Sequence, residues 1–213
     1  MKFLGIKSIV IKKYKPTSSS IKSDKKSRPN KLTQNFESNK PGTKLLGDIT
    51  YIWTKEYGWT YLAIVLDLYD LKVIGWEYGL KMDEELVINA MKKAAASRQL
   101  YRDGLFHSDQ GGQYTSINFE NLLELLGIKH SYSKAGCPYD NASMESFNAI
   151  LKKEEVNLKT YCTFDDAKLA IFEFIESWYN IKRIHGTLGY ISPKQKYDNY
   201  LANNNHVFQT SVS

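Results

Sequence analysis

The stretch Lys44–Leu80, KLLGDITYIWTKEYGWTYLAIVLDLYDLKVIGWEYGL, decides the fold predicted for this chain. Lys44–Thr54 alternates and is rich in β-branched and aromatic residues, a pattern typical of a half-buried strand. Trp59–Asp70 is a near-continuous apolar run, which indicates a strand buried on both faces. Lys72–Leu80 follows after a tight connection. The stretch therefore predicts three antiparallel strands joined by short turns.

Downstream of Leu80 the apolar residues change to a helical period and then alternate between short strands and helices. The predicted elements are, in order, a helix at Asp83–Leu100, a strand at Leu105–Asp109, a helix at Ser116–Gly127, a strand at Ile128–Ser133, a helix ending at Glu154 and a long helix at Thr163–Arg183. This order predicts an α/β fold of the ribonuclease H type, a mixed five-stranded sheet flanked by helices.

Charge and composition divide the chain into three parts. Residues 1–40 are predicted to form a basic arm or linker, 41–199 a catalytic core with a C-terminal helical extension, and 200–213 a polar tail. The net charge is +6, but the first 34 residues carry +9, so the rest is about −3. A basic arm of this kind usually contacts phosphates without reading sequence, and the alternative is a solvated, flexible linker.

Bulk properties exclude several classes of protein. We find no apolar run long enough to span a membrane and no secretory signal pattern, so a cytoplasmic protein is expected. Cys137 and Cys162 are isolated and expected to be free thiols, and no histidine or cysteine spacing suggests zinc. A phosphate-binding GxxxxGK[ST] loop is absent, which argues against a nucleotide cofactor, and no Ser-His-Asp arrangement is apparent.

Three acidic residues are the candidate catalytic groups. Asp48 lies within the first apolar strand, where a carboxylate is costly unless paired, hydrogen-bonded or bound to a cation. Asp109 ends the fourth strand, directly before a Gly-Gly turn. Glu145 lies in the first turns of a helix, although that segment alone fits an ordinary surface helix better than a catalytic one. If the first and fourth strands are neighbours, the three carboxylates converge and need a divalent cation, with Mg²⁺ or Mn²⁺ favoured by oxygen ligands.

Four motifs, taken together in order and spacing, resemble the insertion-sequence transposases whose catalytic protein has a retroviral-integrase-like core. Exactly 35 residues separate Asp109 from Glu145, the spacing of that family's Asp-Asp-35-Glu triad. The resemblance extends over about Asn30–Tyr197. Its motifs are GDITYIWTKEYGWTYLAIVLDLYDLKVIGW, HSDQGGQYTS, SKAGCPYDNASMESFNAILKKE and YNIKRIHGTLGYISPKQKY.

The resemblance implies a DDE-type transposase, a polynucleotidyl transferase in which Asp48, Asp109 and Glu145 bind two Mg²⁺ or Mn²⁺ ions. The implied reaction is DNA cleavage followed by strand transfer to a target. DNA, as transposon ends and target, is the expected partner, acted on by a homodimer or higher oligomer. The resemblance also implies a bacterial, nucleoid-associated protein. The residues expected to contact DNA are Lys152 and Asn148 on the helix of Glu145, and in the arm Lys12, Lys13, Lys15, Lys25, Lys26, Arg28 and Lys31.

Other residues are assigned mainly structural roles. His107 is equally compatible with proton transfer and with packing, while Gln113 shapes the turn after Asp109 and is a weaker candidate for DNA contact. Asp67 and Asp70 are expected to face solvent at a turn. The loop before Glu145 is expected to be a mobile flap, with Asp140 or Asn141 capping the helix.

One departure from the family leaves the function open. Relatives place a helix-turn-helix region before the core to recognise terminal repeats, and this chain shows no such pattern. The sequence is therefore expected to be a fragment or to begin at an internal methionine. Two alternatives to transposase remain: a catalytically silent DNA-binding remnant and a ribonuclease H-like nuclease.

Overall fold

A computed structural model describes residues 28–134 and 141–210 of this chain, the last six of them by their backbone only. The predicted fold class is confirmed: the described part contains a five-stranded mixed sheet with helices on both faces. The strands agree closely with the predicted ones and are β1 (Lys44–Thr54), β2 (Gly58–Asp67), β3 (Val73–Gly79), β4 (Leu105–Ser108) and β5 (Lys129–Tyr132).

The sheet has the order β3-β2-β1-β4-β5, which puts β1 in the centre with β4 beside it. The first three strands form an antiparallel meander, whereas β4 runs parallel to both β1 and β5. The last six residues of β2 are buried, which confirms that this apolar strand is covered on both faces. β1 and β4 are therefore adjacent strands, as expected from the sequence.

Helices cover the two faces of the sheet. They are α1 (Glu84–Ser97), α2 (Ile117–Leu126), α3 (Ala142–Glu154), α4 (Phe164–Phe172) and α5 (Pro193–Thr210). One apolar core joins α1 and α2 to the sheet, and a second joins α3 and α4 to the opposite face. At Gly75 of β3 an added Cβ would lie 2.3 Å from the Ala90 carbonyl oxygen, so glycine permits the close approach of α1.

Local sequence signals explain where these helices begin and end. Ser116 caps α2 by accepting a hydrogen bond from Phe119, and Gly127 ends that helix in the left-handed conformation. Thr163 begins α4 with a capping box that includes Asp166, as the sequence indicated for Thr163. Asn141 occupies the N-cap of α3 but makes no side-chain capping hydrogen bond, and Asp140 lies outside the described residues.

The C-terminal part differs from the sequence prediction in two respects. The segment predicted as one long helix is α-helical only to Phe172 and continues as a π-helix over Glu173–Tyr179. The expected polar tail begins inside α5, which continues to Thr210. Aromatic contacts explain the second difference, because the Tyr200 ring packs 5.3 Å from that of Tyr69, between ring centroids. The domain boundaries themselves stay predictions.

Asp67 and Asp70 are wrongly predicted as solvent-facing, because both are fully buried around Arg98. One guanidinium nitrogen of Arg98 lies 2.5 Å from Asp67 and the other 2.6 Å from Asp70. Asp67 also accepts a hydrogen bond from the backbone of Gly42. The Arg98 guanidinium lies 4.1 Å from the centre of the Tyr197 ring. This buried ion cluster therefore connects β2, α1, α5 and the residues before β1.

The described end of the N-terminal arm packs along the sheet edge formed by β5. The Pro29 carbonyl accepts a hydrogen bond from the backbone of Tyr132, and the backbone of Lys31 donates to the Ser131 hydroxyl. Leu32 is 2% exposed and belongs to the core of α3 and α4. Residues 29–32 therefore pack against β5 and the core, and the boundary expected at residue 40 stays a prediction.

Two features concern the possibility of a membrane-spanning helix and the state of the cysteines. Within the described ranges, no helix combines the length and the apolar character that crossing a membrane requires. Cys162 is an exposed free thiol, and Cys137 lies in the gap between the described ranges.

Replacing Arg98 tests the ion cluster. We expect Arg98→Met to lower the free energy of unfolding by about 3–5 kcal/mol, since two buried carboxylates lose their cation. The matched control is Lys129→Met, which breaks the exposed ion pair with Asp103 and should cost less than about 1 kcal/mol. Urea denaturation measures both, and similar losses in the two variants would contradict the role given to burial.

Candidate active site

The candidate site begins with Asp48, a half-buried residue in the middle of the central strand β1. Asp48 and its neighbours at alternate positions, Leu46 and Thr50, lie on the sheet face covered by α3. The side-chain amide of Asn148 on α3 donates a hydrogen bond to Asp48, 2.6 Å from Nδ2 to Oδ2. The sequence assigned Asn148 to DNA contact, whereas in the structure its amide nitrogen binds a carboxylate of the proposed triad.

Asp109 follows the last residue of β4 and is exposed. In the parallel ladder Lys44 pairs with Leu105 and Leu46 with His107, so the same register puts Asp48 level with Asp109. The Oδ1 atom of Asp109 accepts a hydrogen bond from the backbone of Gly111, 2.9 Å away, and this contact shapes the Gly-Gly turn. Two acids 61 positions apart in the sequence are thus on adjacent strands.

The two carboxylates influence each other electrostatically. Burial, and next the negative charge of Asp109, raise the pKa of Asp48 to about 7. A backbone hydrogen bond from Ile49, the Asn148 amide and the positive charge of Lys152 act in the opposite direction and lower it. Asp48 therefore stays largely protonated at a pH where an ordinary aspartate is charged, a perturbation that is concentrated at functional sites.

Glu145 lies in the first turn of α3 and is exposed. Met144, Phe147 and Leu151 are buried and attach α3 to the sheet, as the helical spacing predicted. Glu145 precedes Asn148 by three residues, which places the two on one side of the helix. In the described ranges, no three His, Cys, Asp or Glu side chains are grouped closely enough to hold a metal ion. The convergence of Glu145 with the two aspartates stays a prediction.

A buried hydrogen-bonded chain supports β4 just before Asp109. The Ser108 hydroxyl lies 2.9 Å from Nε2 of His130, whose Nδ1 lies 2.7 Å from a carboxylate oxygen of Glu120. No motif in the sequence indicates this Ser-His-Glu hydrogen-bond network. Ser108 is fully buried and donates to the backbone carbonyl of Asp109, so it cannot reach a substrate. The hydrogen-bond network therefore fixes the end of β4.

His107 is buried on β4, and its Nδ1 lies 2.9 Å from the Ser131 hydroxyl. Ser131 also accepts the backbone hydrogen bonds of Lys31 and Leu32. These contacts give His107 a packing role between β4, β5 and the arm. Of the arm residues predicted to bind DNA, only Arg28 and Lys31 are described, and Lys12, Lys13, Lys15, Lys25 and Lys26 lie outside the described residues.

Two tyrosines near the carboxylates were missed at the sequence level. Burial first, and then Asp48 and Asp109, raise the pKa of the fully buried Tyr114 well above its ordinary value. The pKa of Tyr51 is raised by burial, Tyr61, Asp109 and Asp48. Alternation along β1 places Tyr51 on the sheet face opposite Asp48. No sequence signal indicates that Tyr114 is buried beside the acids.

The aromatic and basic residues near the end of the π-helix form a separate cluster around Glu154. Arg183 and Trp178 both donate hydrogen bonds to the Glu154 carboxylate. His185 is 7% exposed, and its ring lies 5.1 Å from that of Tyr179, between centroids. These contacts give the cluster a packing role.

Comparison with known proteins decides the family. The family described as integrase core domain matches residues 38–138, and a second family with the same description matches residues 126–193. The transposase for insertion sequence element IS904 of Lactococcus lactis is 41% identical over 174 residues, which cover 81% of this chain and 68% of that protein. The chain belongs to the insertion-sequence transposases with an integrase core.

A further relative agrees with this membership. The transposase InsF for insertion sequence IS3A of Escherichia coli is 39% identical over 78% of this chain and 57% of its own length. The chain thus spans between half and about two thirds of these transposases.

The HTLV-2 integrase catalytic core domain in complex with magnesium, in its trimeric form, has a TM-score of 0.57 at 18% identity, covering 75% of this chain and 98% of that one. The BIV integrase core has a TM-score of 0.55 at 20% identity, covering 78% of this chain and 99% of that one. At these identities the likeness concerns the fold alone, and it agrees with the ribonuclease H-like sheet.

The histidine of the Glu154 cluster should make stability depend on pH. Burial first, and then the charge of Arg183, lower the pKa of His185 to about 4, against the opposing effect of Glu154. The unfolded chain binds a proton near pH 6.5 and the folded chain does not, so stability falls as pH decreases from about 6.5 to about 4.

We expect this histidine to account for up to about 2 kcal/mol of stability lost between pH 7 and pH 5. Urea denaturation at the two pH values, applied to the natural chain and to His185→Asn, isolates the contribution. An equal pH dependence in both proteins would contradict it.

Proposed function

We propose that this chain carries the catalytic part of a transposase that cleaves DNA and joins a 3′ end to target DNA by metal-dependent transesterification. The observation that carries the proposal is the position of Asp48 and Asp109 at one level of adjacent central strands, with the pKa of Asp48 raised. Membership of the insertion-sequence transposases supports DNA as the substrate.

The residues present fit a divalent cation of the Mg²⁺ class. Asp48, Asp109 and Glu145 provide oxygen donors only, the set that Mg²⁺ and Mn²⁺ prefer. The raised pKa of Asp48 shows that its charge is poorly compensated by protein groups, and a bound cation would stabilise the charged form. We assign these three carboxylates as ligands of two ions, and a relative of the same fold was solved with magnesium.

The chemistry requires no covalent protein nucleophile. Ions held by the carboxylates would activate the attacking oxygen and offset the charge that develops on the leaving oxygen. In strand transfer, a DNA 3′-hydroxyl oxygen forms a new bond to phosphorus, and the bond from that phosphorus to the target 3′ oxygen breaks. The attacking hydroxyl loses a proton and the leaving oxygen gains one. One phosphodiester replaces another, so no nucleotide triphosphate is consumed.

Residues of α3 support the site in two ways. Asn148 holds the Oδ2 atom of Asp48 and lowers the pKa of that carboxyl, so it favours the charged form that binds a cation. Lys152 acts on Asp48 through its charge and is proposed to contact a DNA phosphate beside the site. Arg28, Lys31 and the arm before them are proposed to add phosphate contacts. The chain is proposed to act as at least a dimer, because transposition joins two ends.

Strand joining tests the assignment of the triad. The assay combines a donor oligonucleotide with a free 3′-hydroxyl, a supercoiled plasmid and Mn²⁺. We expect the natural chain to give joined products, and Asp48→Asn, Asp109→Asn and Glu145→Gln to reduce joining on the order of a hundredfold or more. Asp103→Asn, an exposed acid paired with Lys129, is the matched control and should retain activity.

The same assay separates the alternatives. Full activity of Asp109→Asn would exclude the triad. Cleavage of RNA–DNA hybrids without joining would favour a nuclease. Salt-dependent binding to any duplex, with no cleavage under Mg²⁺ or Mn²⁺, would favour a DNA-binding remnant.

Asn148 has a testable role of its own. We expect Asn148→Ala to lower joining by about 10- to 100-fold and to raise the Mn²⁺ concentration needed for half-maximal rate, since a supporting hydrogen bond to a proposed metal ligand is lost. Asn157→Ala, at an exposed asparagine after α3, is the control. A loss that appears only as weaker DNA binding, with an unchanged Mn²⁺ requirement, would assign Asn148 to DNA contact instead.

A further inference from the structure

The hairpin of β1 and β2 presents a group of exposed aromatic side chains, here called the aromatic patch: Tyr51, Trp53, Trp59 and the half-buried Tyr61. The side chains of Tyr51, Trp53 and Trp59 are 42%, 52% and 56% exposed, a large fraction for residues of their size. Cross-strand pairing aligns Tyr51 with Tyr61 and Trp53 with Trp59. All four therefore lie on one face of the sheet.

The aromatic patch begins where the helical cover of that face ends. Ile49 and Tyr61 pack against the core under α1 and α2, whereas Trp53 and Trp59 lie nearer to the hairpin turn. At the turn, Gly58 has a left-handed φ of 72°, and an added Cβ would lie 3.4 Å from the Trp53 ring. The glycine thus allows the turn.

The rings contact one another edge to face. The interplanar angles are 85° between Tyr51 and Trp59, 80° between Trp53 and Trp59, and 65° between Tyr51 and Tyr61. None of these pairs stacks face to face. Face-to-face stacking is the arrangement that a planar ligand adopts on an aromatic ring. The hairpin therefore offers rings held in place by their neighbours and accessible to solvent.

The aromatic patch is continuous with the candidate active site. The Tyr51 hydroxyl donates to the sulfur of Met82, and the side chain of Gln113 donates to the Met82 carbonyl. Gln113 belongs to the turn that begins at Asp109. The patch lies on the sheet face opposite Asp48, so a strand held at the carboxylates would reach it around the turn of Asp109–Gln113, past Met82.

We propose that the aromatic patch binds unpaired bases of the DNA strand held at the candidate active site, by stacking on Tyr51, Trp53 and Trp59. The inference rests on the proposed function, which supplies DNA as the ligand. Stacking on aromatic rings is the usual way in which proteins hold single strands without reading their sequence. The exposed Lys55 and Lys81, next in sequence to the end of β1 and to Met82, can contact phosphates, beside the exposed acids Glu56 and Asp83.

Unpaired bases fit the patch better than a duplex. In a duplex, base faces are occupied by stacking within the helix, so exposed rings gain little from them. Strand transfer also exposes such bases, because DNA next to the scissile phosphate must be distorted for attack. The patch would hold those bases beside the cut and keep the strand from closing.

The test measures binding without chemistry. The full chain is titrated with a single-stranded oligothymidine and with a matched duplex in EDTA, and tryptophan fluorescence and anisotropy are recorded. We expect oligothymidine to quench the natural chain, and Trp53→Ala combined with Trp59→Ala to lose at least about tenfold in single-strand affinity, measured by the anisotropy of a labelled oligonucleotide. Affinity for the duplex should change less than about threefold. Leu125→Ala, at a 79% exposed position of α2, is the control and should bind like the natural chain.

Folding of each variant is checked by circular dichroism. If the double variant does not fold, the single variants Trp53→Leu and Trp59→Leu carry the same expectation with a smaller loss. Equal single-strand affinity in the natural chain and the folded variants would overturn the proposal. Self-association without DNA that disappears in the variants, while DNA affinity is unchanged, would also overturn it and would assign the patch to a second copy.

The outcome is independent of the joining assay. If the natural chain does not join DNA but its single-strand affinity still depends on Trp53 and Trp59, the proposed reaction is excluded and the binding site is retained. Normal joining with unchanged binding by the variants would remove the binding site and keep the reaction.

Discussion

The buried contact of Arg98 with Asp67 and Asp70 is the constraint on which the position of the central strand depends. The cluster fixes the end of β2, the end of α1 and the backbone of Gly42 just before β1. A buried ion pair contributes little net stability, because desolvation of the charges offsets their attraction. Its value here lies in specificity, since any shift of β1 against β2 would separate groups that cannot be left unpaired.

A second pair of aspartates on the same sheet shows the opposite treatment of charge. Asp67 pairs in register with Leu45, three residues before Asp48 along β1. One arginine, Arg98, makes ion pairs with both Asp67 and Asp70, and burial and the charge of Asp70 still raise the pKa of Asp67 against its effect. Within the described residues no arginine pairs with Asp48 or Asp109, and burial and the charge of Asp109 raise the pKa of Asp48. The protein thus provides one acidic pair with a cation of its own and leaves the other without one, as expected where a ligand completes the site.

The sequence was informative where a pattern is local and less so where partners are distant. Alternation and apolar runs predicted the five strands and their order, and a carboxylate inside a strand and another before a Gly-Gly turn pointed to Asp48 and Asp109. The burial of Asp67 and Asp70 could not be predicted, because it depends on an arginine 31 and 28 positions away. Asn148 was placed on the correct helix face but given DNA as its partner. The polar sequence of α5 lacks an apolar stripe, and its contacts with Tyr69 and Arg98 are visible only in the fold.

The segment of residues 29–32 along β5 has a consequence for how the protein is made. A bare sheet edge can recruit a strand from another chain, and here the chain covers that edge with its own earlier residues. Leu32 and Ser131 are 99 positions apart, so a ribosome must synthesise nearly half of the protein before the two can meet. During that interval residues 29–32 have no partner, because β5 has not been made. When β5 is synthesised, the segment that covers its edge is already present, which leaves little time for a strand of another chain to pair there.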